Sequence, residues 1–188
     1  KTFSIMNLAA SMALKKSKVI IVDLDLRKAT LTKTFGKQHS GVAAYLNGKM
    51  DDYHSCIDEL SSDLFLLPIG TLPPNPTELL LTERFGKMID ELRKEYDYVF
   101  LDCPPIDIVA DASIITEKVD MTIFVLRAGR IDKSSLPYVD ELYRSGKYRH
   151  MAVVINSVEL LAKKYGYGRR GYGYGYGYGY GYGYGNQD

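Results

Sequence analysis

The chain has 188 residues, 46% of them hydrophobic, and a formal net charge of +1. That is core enough for one domain of ordinary size and too little for two. The longest apolar runs, such as 19–22 and 121–126, are far shorter than the ~20 residues of a membrane helix. The start, Lys1-Thr2-Phe3-Ser4, lacks the charged-then-apolar layout of a signal peptide. The only cysteines, Cys56 and Cys103, form no CxxC pair and have no histidine cluster nearby, which argues against a disulfide framework or a zinc site and points to a reducing compartment.

These averages join two unlike polymers. Nine of the 16 tyrosines lie between Tyr165 and Tyr184, and ten of the 17 glycines between Gly166 and Gly185. Residues 1–161 carry 20 Lys+Arg against 22 Asp+Glu, a net of −2, and give no electrostatic argument for binding nucleic acid. Residues 162–188 carry Lys163, Lys164, Arg169 and Arg170 against Asp188, a net of +3, and have almost no aliphatic side chains with which to build a core. The expected division is a folded body over 1–161 and a flexible, disordered tail over 162–188.

In chain order, the apolar spacing of Ile5, Leu8, Ala9, Met12 and Ala13 predicts a helix over 3–16. Val19-Ile20-Ile21-Val22 is a β-branched run and reads as a buried strand. Leu64 to Ile69 reads as a second strand, followed by a loop with Pro73, Pro74 and Pro76. Glu78 to Tyr96 reads as one long helix capped by Thr77, and Tyr98 to Leu101 as a third strand. A helix over 109–118, a buried strand over 121–126, a helix over 134–145 and a strand over 151–155 complete the pattern. Alternating helices and apolar strands predict an α/β, three-layer architecture with a parallel sheet. If the chain is cut at its start, one strand of that sheet precedes Lys1.

Open parallel sheets place ligands at the carboxyl ends of their strands, and three such places carry polar groups. Asp23, Asp25 and Arg27 follow the first strand; alternation puts them on one side if the extended conformation continues. Paired carboxylates there suit Mg²⁺, and one could accept a proton from an attacking hydroxyl. A solvated loop is the competing reading. Asp102, at the end of Tyr98-Val99-Phe100-Leu101, has the layout of a Walker B acid; a loop-capping aspartate competes with it. Lys1-Thr2, at the head of the first helix, matches the last two letters of a phosphate loop. The glycines that would wrap phosphates are not among the 188 residues.

Lys1-Thr2, Asp23-Leu24-Asp25-Leu26-Arg27, the run from Gly70 through Pro73-Pro74-Asn75-Pro76-Thr77-Glu78-Leu79-Leu80, and Asp102-Cys103-Pro104-Pro105 together resemble the bacterial tyrosine kinases, the autokinases of capsular and exopolysaccharide systems. The likeness runs from residue 1 to about Val158, and a tyrosine-rich C-terminus is the family's other mark. It implies a deviant P-loop NTPase fold, here without its first strand and most of the phosphate loop. It also implies ATP and Mg²⁺ as cofactors. On this reading Lys1 contacts the β/γ-phosphates, Thr2 ligates Mg²⁺, and Asp23 and Asp25 form the second Walker motif, with Asp23 the favoured base. Asp102 completes the metal site and Arg27 positions a phosphate or substrate. Asn156 sits where related ATPases hold adenine, although an asparagine in a turn is an equal alternative.

The tail alternates Tyr and Gly, so an extended conformation would put its tyrosines on one face. Alone it reads first as a self-associating low-complexity segment, with single-strand nucleic-acid stacking or an unselected repeat as alternatives. Beside a kinase-like body, Tyr165, Tyr167, Tyr172, Tyr174, Tyr176, Tyr178, Tyr180, Tyr182 and Tyr184 become expected phosphorylation sites, presented in trans at high effective concentration within a ring of identical subunits. Nine phosphates would carry the tail from +3 to roughly −10 to −15, and such tails would repel and loosen the ring. The resemblance further implies a membrane-spanning polysaccharide co-polymerase or adaptor, fused or separate, a cognate tyrosine phosphatase, no nucleic-acid partner, and a place at the cytoplasmic face of the bacterial membrane. Two rival readings are a partition- or septum-type ATPase without kinase activity, and a non-catalytic interaction module. With its phosphate loop incomplete, the 188-residue chain is expected to bind nucleotide weakly and to be inactive.

Overall fold

Five consecutive residues, Val19–Asp23, form strand β1, and all five are buried. A computed structural model describes residues 1–25, 28–36, 40–71, 76–104 and 112–158. Helix α1 (Thr2–Ala13) precedes β1, and two short helices that the sequence pattern did not reveal, α2 (Thr30–Phe35) and α3 (Val42–Leu46), follow it. Strands β2 (Asp58–Ser61) and β3 (Leu64–Leu67), helices α4 (Pro76–Leu79) and α5 (Glu83–Glu95), and strand β4 (Tyr98–Asp102) come next. Helix α6 (Ala112–Lys118), strand β5 (Ile123–Arg127), helix α7 (Leu136–Arg144) and strand β6 (Ala152–Asn156) end the described part.

One sheet has the order β2-β3-β1-β4. β1 runs parallel to both β3 and β4, and β2 is an antiparallel edge strand. The sheet is therefore mostly parallel rather than wholly so. β2 escapes sequence reading because Asp58-Glu59-Leu60-Ser61 has too few apolar residues to announce a strand; its pairing with β3 makes it one. A second, two-stranded sheet pairs β5 and β6 in parallel.

The side-chain alternation of β1 divides the core into two. Ile20 and Val22 pack with Phe85, Met88, Ile89 and Leu92 of α5, whereas Val19 and Ile21 pack with Ala9 and Ala13 of α1. Helices thus cover both faces of the sheet, as strand alternation dictates. Each fully buried aliphatic side chain of this kind contributes about 1.5–3 kcal/mol of transfer free energy.

The long helix predicted over 78–96 is two helices. Leu81 and Thr82 leave helical geometry, Thr82 is extended (φ −74°, ψ 148°), and its hydroxyl accepts from the Phe85 amide at 3.4 Å. The N-cap is therefore Thr82 and not Thr77. Thr82 suits the role because its oxygen satisfies an amide at the start of α5, where no intrahelical acceptor exists. The helix predicted over 134–145 begins as a 3₁₀ turn, Lys133–Ser135, in which the Asp132 carboxylate accepts from the Ser134 amide at 2.8 Å. The part of the predicted helix before residue 112 and the prolines Pro73 and Pro74 lie outside the described residues.

β5 and β6 are strands as expected, but not buried ones. Val153, Val154 and Ile155 are 45%, 41% and 60% exposed, and no residue of α7 is buried. Among the described residues these two strands pair only with each other. β-branched composition signals an extended backbone; burial needs a neighbour on each face as well.

Candidate functional site: a lysine and three carboxylates at two strand ends

β1 and β4 pair in register, Val22 with Leu101 and Asp23 with Asp102, so both chains end on an aspartate at the same level. The Leu24 amide continues the ladder by donating to the Asp102 carbonyl at 3.0 Å. Neighbouring strand ends thereby set two carboxylates side by side, Asp23 fully buried and Asp102 3% exposed. β1 stops at Asp23: the Asp25 amide turns back to donate to Asp23 Oδ1 at 3.0 Å. The extended alternation therefore does not carry from Asp23 to Asp25, because aspartate readily captures a backbone amide two residues on. Asp25 is also buried, and its Oδ1 accepts from the Lys28 amide at 3.2 Å. Arg27 lies outside the described residues.

The head of α1 closes the site. The Thr2 hydroxyl donates to Asp102 Oδ2 at 2.9 Å. Lys1 Nζ donates to the Cys103 carbonyl at 2.6 Å and lies 3.9 Å from Asp25 Oδ2 and 4.0 Å from Asp102 Oδ1. Lys1, Thr2, Asp25 and Asp102, spread over 102 positions of sequence, therefore meet around one small volume, with Asp23 behind them. Burial pushes the Asp102 carboxyl above its ordinary 3.8; the Lys1 ammonium and the Thr2 hydroxyl pull it back, and the charges of Asp23 and Asp25 push it up again. A carboxylate held in this way gains from a cation. Burial, with the Asp102 charge beside it, pushes the Cys103 thiol up to about 12, which disfavours its thiolate form.

The donors fit magnesium of the kind that accompanies a nucleotide. Mg²⁺ keeps several waters and takes one or two protein oxygens along with phosphates; the Asp102 carboxylate and the Thr2 hydroxyl are such oxygens. An all-protein cage is not what is built: the described residues contain no cluster of three or more His, Cys, Asp or Glu suited to hold an ion.

Asn156, at the end of β6, lies by the first turn of α1, its amide donating to Ser4 Oγ at 3.2 Å while its Oδ1 accepts from the Ser157 amide at 2.7 Å. Its side chain thus meets α1 and its own following amide, at the border of the site. The tail tyrosines lie outside the described residues. One residue escaped sequence reading. Thr32, in α2, donates to Asp23 Oδ2 through both its amide, at 2.9 Å, and its hydroxyl, at 2.7 Å. Nothing in Thr30-Leu31-Thr32-Lys33 marks it, because the contact depends on how α2 returns to the end of β1.

A mostly parallel α/β sheet with a Lys-Thr helix head facing two acidic strand ends defines a P-loop-type nucleotide-handling domain. A family model described as an AAA domain matches residues 1–128. The chain is 36% identical over 169 residues to the tyrosine-protein kinase CpsD of Streptococcus pneumoniae serotype 4, covering 88% of this chain and 74% of that one. In solved structures it is similar to the kinase domain of VpsO, with a TM-score of 0.74 and 31% identity, covering 85% of this chain and 79% of that one. It is also similar to the kinase domain of the Escherichia coli tyrosine kinase ETK, with a TM-score of 0.70 and 29% identity, covering 85% and 64%. The chain belongs to the bacterial tyrosine-kinase family. The partition- and septum-type ATPase reading is not favoured: the MinD cell division protein of Aquifex aeolicus, at 21% identity and a TM-score of 0.60, shares the fold alone.

Proposed function

We propose that this protein moves the γ-phosphoryl group of ATP onto tyrosines of its own C-terminal run, acting on a neighbouring copy, and so regulates capsular or exopolysaccharide synthesis or export. The observation that carries this reading is the meeting of Lys1, Thr2, Asp25 and Asp102 at the ends of β1 and β4, in a chain that also holds nine clustered tyrosines.

The chemistry follows from these groups. A tyrosine hydroxyl has a pKa near ~10, so attack at neutral pH is helped by a base. Its oxygen bonds to the γ-phosphorus, the bond from that phosphorus to the β–γ bridging oxygen breaks, and ADP leaves. The phenolic proton passes to the Asp23–Asp25 pair, with Asp23 as acceptor. Lys1 reaches the β/γ-phosphates and Arg27 steadies a phosphate or the incoming tyrosine. Thr2, Asp23 and Asp102 would hold Mg²⁺, which would offset charge on the phosphate oxygens. Asn156 borders the adenine. The phosphorylated positions are Tyr165, Tyr167, Tyr172, Tyr174, Tyr176, Tyr178, Tyr180, Tyr182 and Tyr184.

The setting implied is a ring of identical subunits at the cytoplasmic face of the membrane, working with a membrane-spanning co-polymerase or adaptor and opposed by a tyrosine phosphatase. No helix among the described residues is long and apolar enough to cross a membrane. The 188 residues contain no glycine-rich phosphate loop, so this stretch alone is expected to bind ATP weakly; tight binding by calorimetry would contradict that. Incubating the full-length gene product with Mg-ATP and blotting for phosphotyrosine tests the main reading. Signal in the wild type that vanishes in Asp102→Asn supports it, and ATP turnover without phosphotyrosine overturns it.

A further inference from the structure

We propose that Thr32 is a positioning residue for the phosphoryl transfer, acting through Asp23. This rests on the reading of Asp23 given above.

A carboxylate offers about four lone-pair sites. Three of Asp23's are taken: the Asp25 amide donates to Oδ1, and the amide and hydroxyl of Thr32 both donate to Oδ2. Two donors on one oxygen and a third on the other fix the carboxylate plane, leaving one direction open for a proton or a metal-bound water. The Thr32 hydroxyl is itself fixed, because it accepts from the Ile69 amide at 2.8 Å. Ile69 lies in a segment with little freedom. The amides of Val42 and Ala43 donate to the carbonyls of Pro68 and Ile69 at 2.9 and 3.0 Å. A Cβ at Gly41 would run into the Pro68 carbonyl oxygen, and Gly70 holds φ +73°, where a side chain is strained. A hydrogen-bonded series therefore runs from the loop after β3, through one hydroxyl, to the carboxylate at the end of β1. That loop leads into the Gly70–Leu80 run, so Thr32 ties together two of the four segments that carry the family's likeness.

A hydroxyl placed only for stability and one that aims a carboxylate make different predictions. Thr32→Val keeps the shape and the amide but removes the hydroxyl. Thr32→Ser keeps the hydroxyl. Thr32→Ala removes the hydroxyl without adding an apolar branch, and serves if the valine variant does not fold. In the full-length gene product, autophosphorylation rate is measured against ATP concentration, at a temperature where circular dichroism shows every variant folded. The expected result for Thr32→Val or Thr32→Ala is a saturating rate lowered on the order of tenfold to a hundredfold, with the half-saturating ATP concentration little changed. Thr32→Ser recovers most of the rate. Asp23→Asn is the control for the underlying reading. If Asp23→Asn keeps the wild-type rate, that reading of Asp23 fails. If Asp23→Asn is inactive while the hydroxyl-free variants run at the wild-type rate, or if Thr32→Ser loses as much rate as they do, the assignment of Thr32 is overturned.

Discussion

β1 and β6 are almost interchangeable as sequences, Val-Ile-Ile-Val-Asp against Ala-Val-Val-Ile-Asn, yet their surroundings are opposite. Every residue of β1 is buried, between β3 and β4 and under helices on both faces; three of the five in β6 are exposed. The difference shows that position in the sheet, and not apolar composition, decides what a strand contributes. β1 is the mechanical centre of the molecule, and the site is built at its end. β6 supplies an asparagine at the border of that site and little to the core.

Mutation can sharpen or break this contrast. The largest effect is expected at Ile21, whose truncation to alanine should cost about 2–5 kcal/mol in urea unfolding. Asp23→Ala comes next, at about 3 kcal/mol, because it orphans the buried Asp25 amide and the part-buried amide and hydroxyl of Thr32. Val154→Ala should cost less than about 1 kcal/mol, since that side chain is already in water. Equal losses at Ile21 and Val154 would break the comparison.

Asp102 should behave unlike Asp23. Its carboxyl is held above 3.8 in the folded protein, so the folded state keeps that proton better than the unfolded one. The resulting stability is full below 3.8 and is lost as pH rises through the folded pKa. Asp102→Asn, which is never charged, should melt at or above the wild-type temperature at pH 7, with the gap closing toward pH 3.8. A Tm lowered by several degrees at pH 7 would show that Asp102 supports the fold rather than the chemistry. The smallest effect concerns His54, between Glu95 at 3.0 Å and Asp52 at 2.8 Å. Partial burial opposes its charge, but those two hydrogen bonds outweigh it and hold the ring above its ordinary 6.5. Its contribution is full below 6.5 and fades as pH rises through the folded value; His54→Gln should flatten that slight decline in a pH series of melts.

Legibility in the sequence followed locality. β1, β4 and α1 were readable because period and β-branching are local, and Asp102 because it directly ends an apolar run. The helix break at Thr82 was hidden, since Leu79, Leu80 and Leu81 continue an apolar pattern that the backbone does not follow. Thr32 and β2 were hidden for a tertiary reason: each becomes meaningful only when another segment comes back beside it. The extended spacing expected of Asp23-x-Asp25 was misleading as geometry, because the amide of the second aspartate turns back to donate to the first.

The central claim is that the groups at the ends of β1 and β4 phosphorylate the tyrosine run. The most direct test is mass spectrometry of residues 162–188 from the full-length gene product after incubation with Mg-ATP, comparing wild type with Asp102→Asn. The account predicts phosphate on several of the nine tyrosines in the wild type, and a reduction on the order of a hundredfold or more in the variant. Equal phosphorylation in both, or none in a wild-type protein that turns over ATP, would contradict it.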